Sequence, residues 1–388
     1  MKQYDINSRA SITVLVVLGG LAAAILIVAP AIVGAYITRL AFSPQQAGYL
    51  ISADMAGMGL ATLPALWWIN RLNWRQVARV ALLITVAGNL LSASLDSFSA
   101  FLLVRLLTGF AAGTAMSVCL AAIGLTRDPD RVFGLWVVGQ LIIGAAGLAL
   151  FPHILALGGF PSIFVLLAAA LFALSFFMGH LPAGGASGNE RAAQRPAQLV
   201  KNRLLLAACG VFGVLCFYVG LSGIWAFLER IGVASELEGG FISYTLSLAS
   251  LAGIAGALTA SAMSSRWGRL LPTLAGFCVI LLSFALLLSK LTDTRYLIAA
   301  CLFKYAWTFV LPYLLGSITA IDISGRSILL ANIMIGGGLA IGPAIAGSLM
   351  GGGGYQQVIW LGLVFMGMCF VLFLPLVTRR ATRGPAAV

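Results

Sequence analysis

The stretch LLVRLLTGFAAG, residues 102–113, is apolar almost throughout but carries an arginine, Arg105, near its start. A charged side chain at the centre of a membrane-spanning helix costs about 2.5–3.5 kcal/mol on insertion scales. A chain that keeps such a residue in a membrane needs something to compensate for the charge. The residues around this stretch indicate where the compensation comes from.

The composition of the chain is that of an integral membrane protein. Of its 388 residues, 61% are hydrophobic and 9% are charged, whereas soluble domains carry about 25% charged residues. Apolar runs of roughly 20 residues, long enough to cross a ~30 Å hydrocarbon core, recur along the chain. The first run is too long for the core of a signal peptide and predicts a retained helix. We count twelve runs, numbered here as spans 1–12, at about 12–38, 47–69, 76–95, 99–125, 132–153, 162–181, 204–228, 240–263, 270–289, 295–321, 327–350 and 356–378.

The basic residues indicate the orientation of these spans. If both termini lie in the cytoplasm, 17 Lys and Arg residues fall in cytoplasmic tails and loops and only four (Arg39, Arg230, Lys290, Arg295) in outer loops. The positive-inside rule therefore predicts a multi-pass protein of the cell (inner) membrane with cytoplasmic termini. The net charge of +12 comes from basic residues that are spread over alternate loops. These residues form no single basic patch, so nucleic acid is not an expected partner. We expect a monomer surrounded by membrane lipids.

The longest polar stretch lies near the middle of the chain. Residues 182–203 predict a cytoplasmic linker between an N-terminal six-helix bundle (1–181) and a C-terminal one (204–388). Repeats of this kind are common in secondary transporters, and four weak matches favour two pseudo-symmetric halves. They are the basic turns NRLNWR (70–75) and SRWGR (265–269), the turns RDPDR (127–131) and DISGR (322–326), the glycines Gly147 and Gly342 sixteen residues further on, and the cations Arg105 and Lys304.

Twelve helices, a central loop and these motifs resemble the major facilitator superfamily over essentially the whole chain. RLLTGFAAG (105–113) is similar to the family's helix-4 motif, and SRWGR to its basic turn after helix 8. NRLNWR is a degraded form of the turn after helix 2. GLAIGPAIAG (338–347) resembles a Gly-Pro motif of the antiporter branch, but that motif belongs in helix 5 and here lies in span 11, which counts against export. The resemblance implies that spans 1, 4, 7 and 10 line a central cavity and that spans 3, 6, 9 and 12 face lipid.

Three ionisable residues lie well inside predicted spans: Asp54 in span 2, Arg105 in span 4 and Lys304 in span 10. Counted from the outer ends of their helices, all three lie roughly 10–13 Å deep, which predicts one site. Two cations and one carboxylate leave a positive charge that an anionic solute could neutralise. A fixed structural Asp54–Arg105 pair and a neutral Lys304 are the alternatives. Asp54 is the only interior carboxylate and is the predicted proton carrier.

Other side chains on the cavity-lining or neighbouring helices complete the candidate site, although each alone is more often a packing residue. We expect the substrate-binding residues to be Arg105, Lys304, Trp307, Tyr218, Gln140, Asn332 and Tyr36, with Trp225 and Tyr313 as further candidates. Trp307 lies three residues after Lys304, so the two can share a helix face. The candidate gating residues are Glu229, Arg230, Gly342 and Pro343, with a solvated helix end as the alternative for the Glu229–Arg230 pair.

These features predict a secondary active transporter that works by alternating access and carries a small organic anion by proton symport. The chain contains no P-loop, so ATP is not the expected energy source. The alternative is a proton-coupled antiporter that exports drugs or amphiphilic compounds. A membrane enzyme or a lipid scramblase has no support, because no catalytic dyad or nucleophile motif appears in the sequence. We expect no cofactor and no metal site.

Overall fold

The computed structural model describes residues 5–184, 201–263, 268–321 and 326–378. Regular structure in these ranges is entirely helical, so the predicted all-α fold with twelve spans is confirmed. Most of the predicted linker, 182–203, lies outside the described residues, and a bundle boundary there stays a proposal. The helices of spans 1–12 are, in order, Arg9–Ala22, Ala24–Ile27 and Ala29–Arg39; Pro44–Leu60 and Thr62–Trp68; Trp74–Ser92; Phe98–Ile123; Pro129–Gly158; Pro161–Ser175 followed by the 3₁₀ turn Phe176–His180; Lys201–Ala234; Gly239–Met263; Leu270–Leu288; Asp293–Ile321; Arg326–Gly353; and Tyr355–Thr378.

Ten of these spans are long and apolar enough to cross a membrane by length and composition within the described chain. The other two, spans 1 and 3, fall short of these criteria for different reasons. Span 1 is broken into three short helices. Span 3 carries Arg75 and Arg79 in its first two turns, which lower its mean hydropathy.

Polar residues at the helix starts explain where several spans begin. Ser43 and Gln46 form a reciprocal capping box at the start of span 2, with bonds of 3.2 and 3.0 Å between each side chain and the other residue's N–H. The Asp128 carboxylate accepts the N–H of Arg131, at 3.1 Å, at the start of span 5. Gly159, with φ of +67°, ends span 5, because glycine adopts positive φ without a steric penalty.

The breaks in span 1 release a backbone carbonyl. Val28, at φ −94° and ψ 12°, separates the second and third helices of this span. Pro30 follows two residues later and has no N–H, so the carbonyl of Leu26 lacks the donor that position 30 supplies in a regular helix. A freed carbonyl in a membrane must find another partner, and the partner here comes from span 7.

Corresponding helices pack in corresponding ways in the two halves of the chain. Span 1 packs on span 5 as span 7 packs on span 11, and span 2 on span 4 as span 8 on span 10. Span 3 likewise packs on span 6 as span 9 packs on span 12. This repetition is the pseudo-symmetry that the weak sequence matches predict.

The halves contact each other through spans 2 and 11, 5 and 8, and 1 and 7. We call the end of the bundle that carries the start of span 1 and the end of span 12 the terminal face, and the opposite end the distal face. Gly347 packs against the Pro44 backbone close to the distal face. Closer to the middle, the Ser247 hydroxyl donates to the Ala145 carbonyl at 2.8 Å. These contacts close the bundle from its middle to its distal face.

Spans 2 and 4 approach each other through glycines, because a side chain at those positions would meet backbone. A Cβ atom on Gly109 would collide with the backbone of Asp54, and one on Gly57 with the Leu106 carbonyl. Gly113 is in the same situation against the Met58 backbone. This close approach brings the side chains of spans 2 and 4 within hydrogen-bonding distance of each other.

Gly109→Val is therefore expected to disrupt the bundle. The collision is with backbone, which cannot rotate away, and overpacking of this kind costs about 1–3 kcal/mol or more. Gly367→Val in span 12 is the matched control, since no atom lies within 4 Å of a Cβ added there. Thermal unfolding in detergent should show a large loss for Gly109→Val and almost none for Gly367→Val. Equal stability of the two variants would contradict this packing.

Candidate functional site

Asp54 of span 2 and Arg105 of span 4 form a buried two-pronged ion pair. The Arg105 Nη2 donates to Asp54 Oδ2 at 2.8 Å and to Oδ1 at 3.0 Å, and Nε donates to Oδ2 at 3.2 Å. Only 1% of the Arg105 side chain and 4% of the Asp54 side chain are exposed. The pair is a neutral unit inside the bundle, and this geometry offsets part of the cost of burying both charges.

Span 3 satisfies the rest of the Arg105 guanidinium. Its Nη1 donates to Asn89 Oδ1 at 3.0 Å and to the Ser92 hydroxyl at 3.2 Å. Each of the three guanidinium nitrogens therefore has an acceptor in the protein. Asn89 and Ser92 are themselves anchored on the Thr85 and Gly88 carbonyls of their own helix. Arg105 is thus compensated by the protein itself.

Lys304 of span 10 has a different environment. Its Nζ lies 3.8 Å from the ring centroid of Trp225 and 4.6 Å from that of Trp307. No hydrogen bond or ion pair joins Nζ to another group among the described residues, and Lys304 keeps an exposed fraction of 7%. Cation–π contacts contribute about 0.5–2 kcal/mol, less than the several kcal/mol that burying an ion costs. When protonated, Lys304 is a buried cation that the described protein compensates only in part.

Aromatic rings of spans 7 and 10 enclose this lysine. The rings of Trp225 and Phe303 lie parallel with centroids 6.4 Å apart, and Trp307 meets Tyr218 edge to face at 6.0 Å. We call Lys304, Trp225, Trp307, Tyr218 and Phe303 the lysine box. Its walls are mostly apolar ring surface, and their polar groups are the Tyr218 hydroxyl and the indole N–H groups of Trp225 and Trp307.

Trp225 also links the two halves. Its Nε1 donates to the Leu26 carbonyl in span 1 at 3.0 Å, which is the carbonyl that Pro30 leaves without a helical donor. The face of the same indole lies against Lys304. One side chain therefore contacts both the lysine of the C-terminal half and the broken helix of the N-terminal half.

The three charges expected at one site form two separate clusters. No hydrogen bond or ion pair joins Lys304 to Asp54 or Arg105 in the described part of the chain. The reason is that span 3 completes the coordination of Arg105, whereas Lys304 is surrounded by rings of its own half. The prediction of one site is therefore wrong, because residues at a similar depth in the membrane need not contact each other.

The remaining predicted binding residues occupy different environments. Tyr36 is fully buried between the Phe101 and Phe160 rings, with centroids 5.4 and 5.6 Å away, and its hydroxyl has no hydrogen-bond partner in the described structure. Gln140 donates to the Gly19 carbonyl at 3.1 Å, which joins span 5 to span 1. Asn332 is exposed. These three residues do not contact the lysine box through any bond in the described residues.

The candidate gating residues lie where helices of the two halves meet or pack closely. Arg230 donates through Nη2 to its neighbour Glu229 at 2.7 Å, and both side chains are partly exposed. Gly34 of span 1 faces the Glu229 carboxylate closely enough that a Cβ would collide with it. Gly342 packs on span 7, and the Pro343 carbonyl faces Gly48 of span 2.

Sequence reasoning did not include Asn89 and Ser92 in the site. The resemblance to the superfamily implies that span 3 faces lipid, and this span holds no interior ionisable residue. The available signal was two polar residues three positions apart in an apolar helix, a spacing that places both on one face. The Leu26 carbonyl could have been suspected from the proline four residues later.

Twelve membrane-spanning helices in two repeated halves, with charged residues buried between them, define a polytopic membrane transporter. The family model of the Major Facilitator Superfamily matches residues 12–321, and the chain belongs to this superfamily. No protein of curated function matches the chain in sequence.

Solved transporter structures share the fold at low sequence identity. The D-xylose–proton symporter superposes with a TM-score of 0.76 at 12% identity, covering 94% of this chain and 97% of that one. A bacterial homologue of the human lysosomal transporter Spinster, inward-facing and unoccupied, gives 0.73 at 13%, covering 97% and 98%. The nucleoside transporter NupG gives 0.66 at 18%, covering 96% and 100%. At these identities the likeness establishes the architecture alone.

Proposed function

We propose that this chain is a secondary active transporter that moves a small organic anion across the cytoplasmic membrane by proton symport. Lys304 carries the proposal. It is a buried cation with aromatic neighbours, and no carboxylate contacts it in the described residues. A cation that the protein compensates incompletely is stabilised by an anionic ligand.

Asp54 is the proposed proton carrier. It is the one carboxylate in the buried polar set of the described chain. Protonation would remove its negative charge and weaken its bonds to Arg105, while Nη1 of Arg105 keeps Asn89 and Ser92 on span 3. The contact between spans 2 and 4 would then depend on protonation, which is what coupling a proton to helix movement requires.

Alternating access follows from the way the halves meet. In this conformation the halves are in contact from the middle to the distal face, so we propose that solute reaches the lysine box from the terminal face. We propose that Glu229, Arg230, Gly342 and Pro343 form the distal gate, because they lie at or beside the contacts of span 7 with spans 1 and 11 and of span 11 with span 2. The basic loops favour a cytoplasmic terminal face. The working unit proposed is a monomer in lipid.

Uptake by proteoliposomes tests this function. We expect accumulation of a radiolabelled organic acid from a panel of lactate, benzoate and succinate when the outside is more acidic than the lumen. Collapse of the gradient by a protonophore should abolish accumulation. Protein-free liposomes in the same gradient correct for passive entry of the neutral acids. Accumulation that equals this control for every acid would contradict anion symport.

Proton-coupled export of drugs or amphiphiles is the second candidate, because the walls of the lysine box are aromatic and would accommodate amphiphilic molecules. The same proteoliposomes distinguish the two functions. Ethidium that moves against its gradient in exchange for protons, without movement of any acid in the panel, would establish export instead.

A further inference from the structure

We infer that the transported solute is a monocarboxylate with an apolar, aromatic body, whose carboxylate is bound by Lys304 of the lysine box without the help of Arg105. This inference rests on the proposed anion transport and names its substrate class. It depends on three observations: the number of uncompensated charges, the chemistry of the walls, and the position of Lys304 between two indole faces.

The charge of the solute follows from the two clusters. Every nitrogen of the Arg105 guanidinium donates to Asp54, Asn89 or Ser92, and the pair with Asp54 is neutral. A ligand oxygen at Arg105 would compete with these partners at a side chain of which only 1% is exposed. Lys304 is then the single uncompensated cation among the buried residues of the described chain. One positive charge matches one negative charge, and a second carboxylate would remain buried without a partner.

The walls of the box determine what the rest of the solute is. Trp225, Trp307 and Phe303 present apolar ring surface, and the indole N–H of Trp225 is already bonded to the Leu26 carbonyl. Nearby Thr308 is also occupied, since its hydroxyl donates to the Gly253 carbonyl at 2.6 Å. Sugar hydroxyls or the edge of a nucleobase would lose their hydration here with few hydrogen bonds in return. An apolar body loses nothing by entering such a box.

The two indoles also hold the ammonium in place. Nζ lies 3.8 and 4.6 Å from the centroids of Trp225 and Trp307. Lys304, Trp307 and Tyr218 keep similar small exposed fractions, 7%, 8% and 7%. A carboxylate bound at Nζ would bring its attached ring close to Trp307, whose centroid is 4.6 Å from Nζ, and to Tyr218 beside it. Aromatic rings pack favourably edge to face or offset, which favours an aromatic over a short aliphatic carboxylate.

Calorimetric binding to the purified full-length protein in detergent tests the inference with five probes. Benzoate has the inferred charge and shape, benzamide has the shape without the charge, and terephthalate adds a second carboxylate. Acetate has the charge without the ring, and benzylamine reverses the charge. We expect benzoate to bind roughly 10- to 100-fold more tightly than benzamide, as expected for a charge-assisted hydrogen bond. Terephthalate and acetate should also bind more weakly than benzoate.

Two variants assign the binding to the box. Lys304→Met keeps an unbranched apolar chain of similar length and should lose benzoate binding, whereas Lys290→Met, in a loop at the distal face, should keep it. Trp307→Leu keeps the charge and should weaken benzoate more than acetate. Arg105→Lys, which retains a positive charge beside Asp54, should leave the benzoate affinity of the folded protein nearly unchanged. Monodispersity in gel filtration establishes folding for each variant.

The outcomes separate this inference from the proposed function. Binding of terephthalate or acetate at least as tight as that of benzoate, with dependence on Lys304, would overturn the monocarboxylate and leave anion transport standing. Loss of benzoate binding in a folded Arg105→Lys protein would overturn the assignment to Lys304 alone. Binding of benzylamine with no binding of any anion would overturn both. Absence of binding by every probe would also count against the inference.

Discussion

Arg105→Met should destabilise the folded protein by about 3–5 kcal/mol, the range found when one partner of a buried ion pair is removed. The substitution leaves the Asp54 carboxylate buried with none of its three bonds to Arg105. It also leaves the Asn89 and Ser92 side chains without their donor. Thermal and chemical unfolding in detergent, together with the yield of monodisperse protein, measure the effect.

Two further variants make this result specific to the pair. Asp54→Leu combined with Arg105→Met removes both charges, and replacing a buried pair by apolar residues is often neutral, so the double variant should recover much of the lost stability. Arg230→Met removes an arginine from a partly exposed pair and should cost no more than about 1 kcal/mol. A double variant as unstable as Arg105→Met would mean that the loss comes from packing and not from an unpaired charge.

Asp54→Asn should abolish accumulation driven by a pH gradient and preserve counterflow exchange of the same anion. Counterflow needs binding and reorientation of the protein but no net movement of protons. Asparagine keeps an oxygen that Arg105 can bind, so the hydrogen bonds between spans 2 and 4 are partly retained. It cannot take up a proton, so the coupling of transport to the pH gradient is lost. The measurements are the initial rate of gradient-driven uptake and the rate of exchange in proteoliposomes of equal protein content.

Asp96→Asn is the matched control for this experiment, because Asp96 is an exposed carboxylate in the loop between spans 3 and 4 and undergoes the same chemical change. We expect it to keep gradient-driven accumulation. Equal loss of accumulation and exchange in a folded Asp54→Asn protein would indicate a structural ion pair. Accumulation at the parental rate would remove Asp54 from the proton pathway.

The fold could be predicted from the sequence because a bilayer imposes a simple rule on the chain. Every span must be apolar and about 20 residues long, and the predicted runs agree with the helices to within several residues at most ends. The helices extend furthest beyond the predicted runs at the distal ends of spans 5 and 7, which continue to Gly158 and Ala234. The break at Ala23, in an uninterrupted apolar run, has no signal in the sequence.

The site was harder to predict because its key contacts lie between helices. Depth counted along separate helices brings Asp54 and Arg105 to one level, but it contains no information about rotation of each helix about its axis. Rotation decides that Arg105 reaches Asn89 in span 3 and that Lys304 turns toward Trp225 in span 7. The spacing of Lys304 and Trp307, by contrast, lies within one helix, where periodicity alone relates the side chains.

The indole of Trp225 has a thermodynamic consequence for the transport cycle. Its N–H holds the Leu26 carbonyl, which has no helical donor opposite Pro30. A movement that separates spans 1 and 7 breaks this bond, at a cost of about 1–3 kcal/mol if the carbonyl stays unpaired. The affinity of a ligand in contact with the face of the same ring therefore depends on which arrangement the protein has adopted. Linkage is reciprocal. If the ligand binds more tightly when the distal side is closed, its binding stabilises the closed arrangement of the two halves by the same free energy.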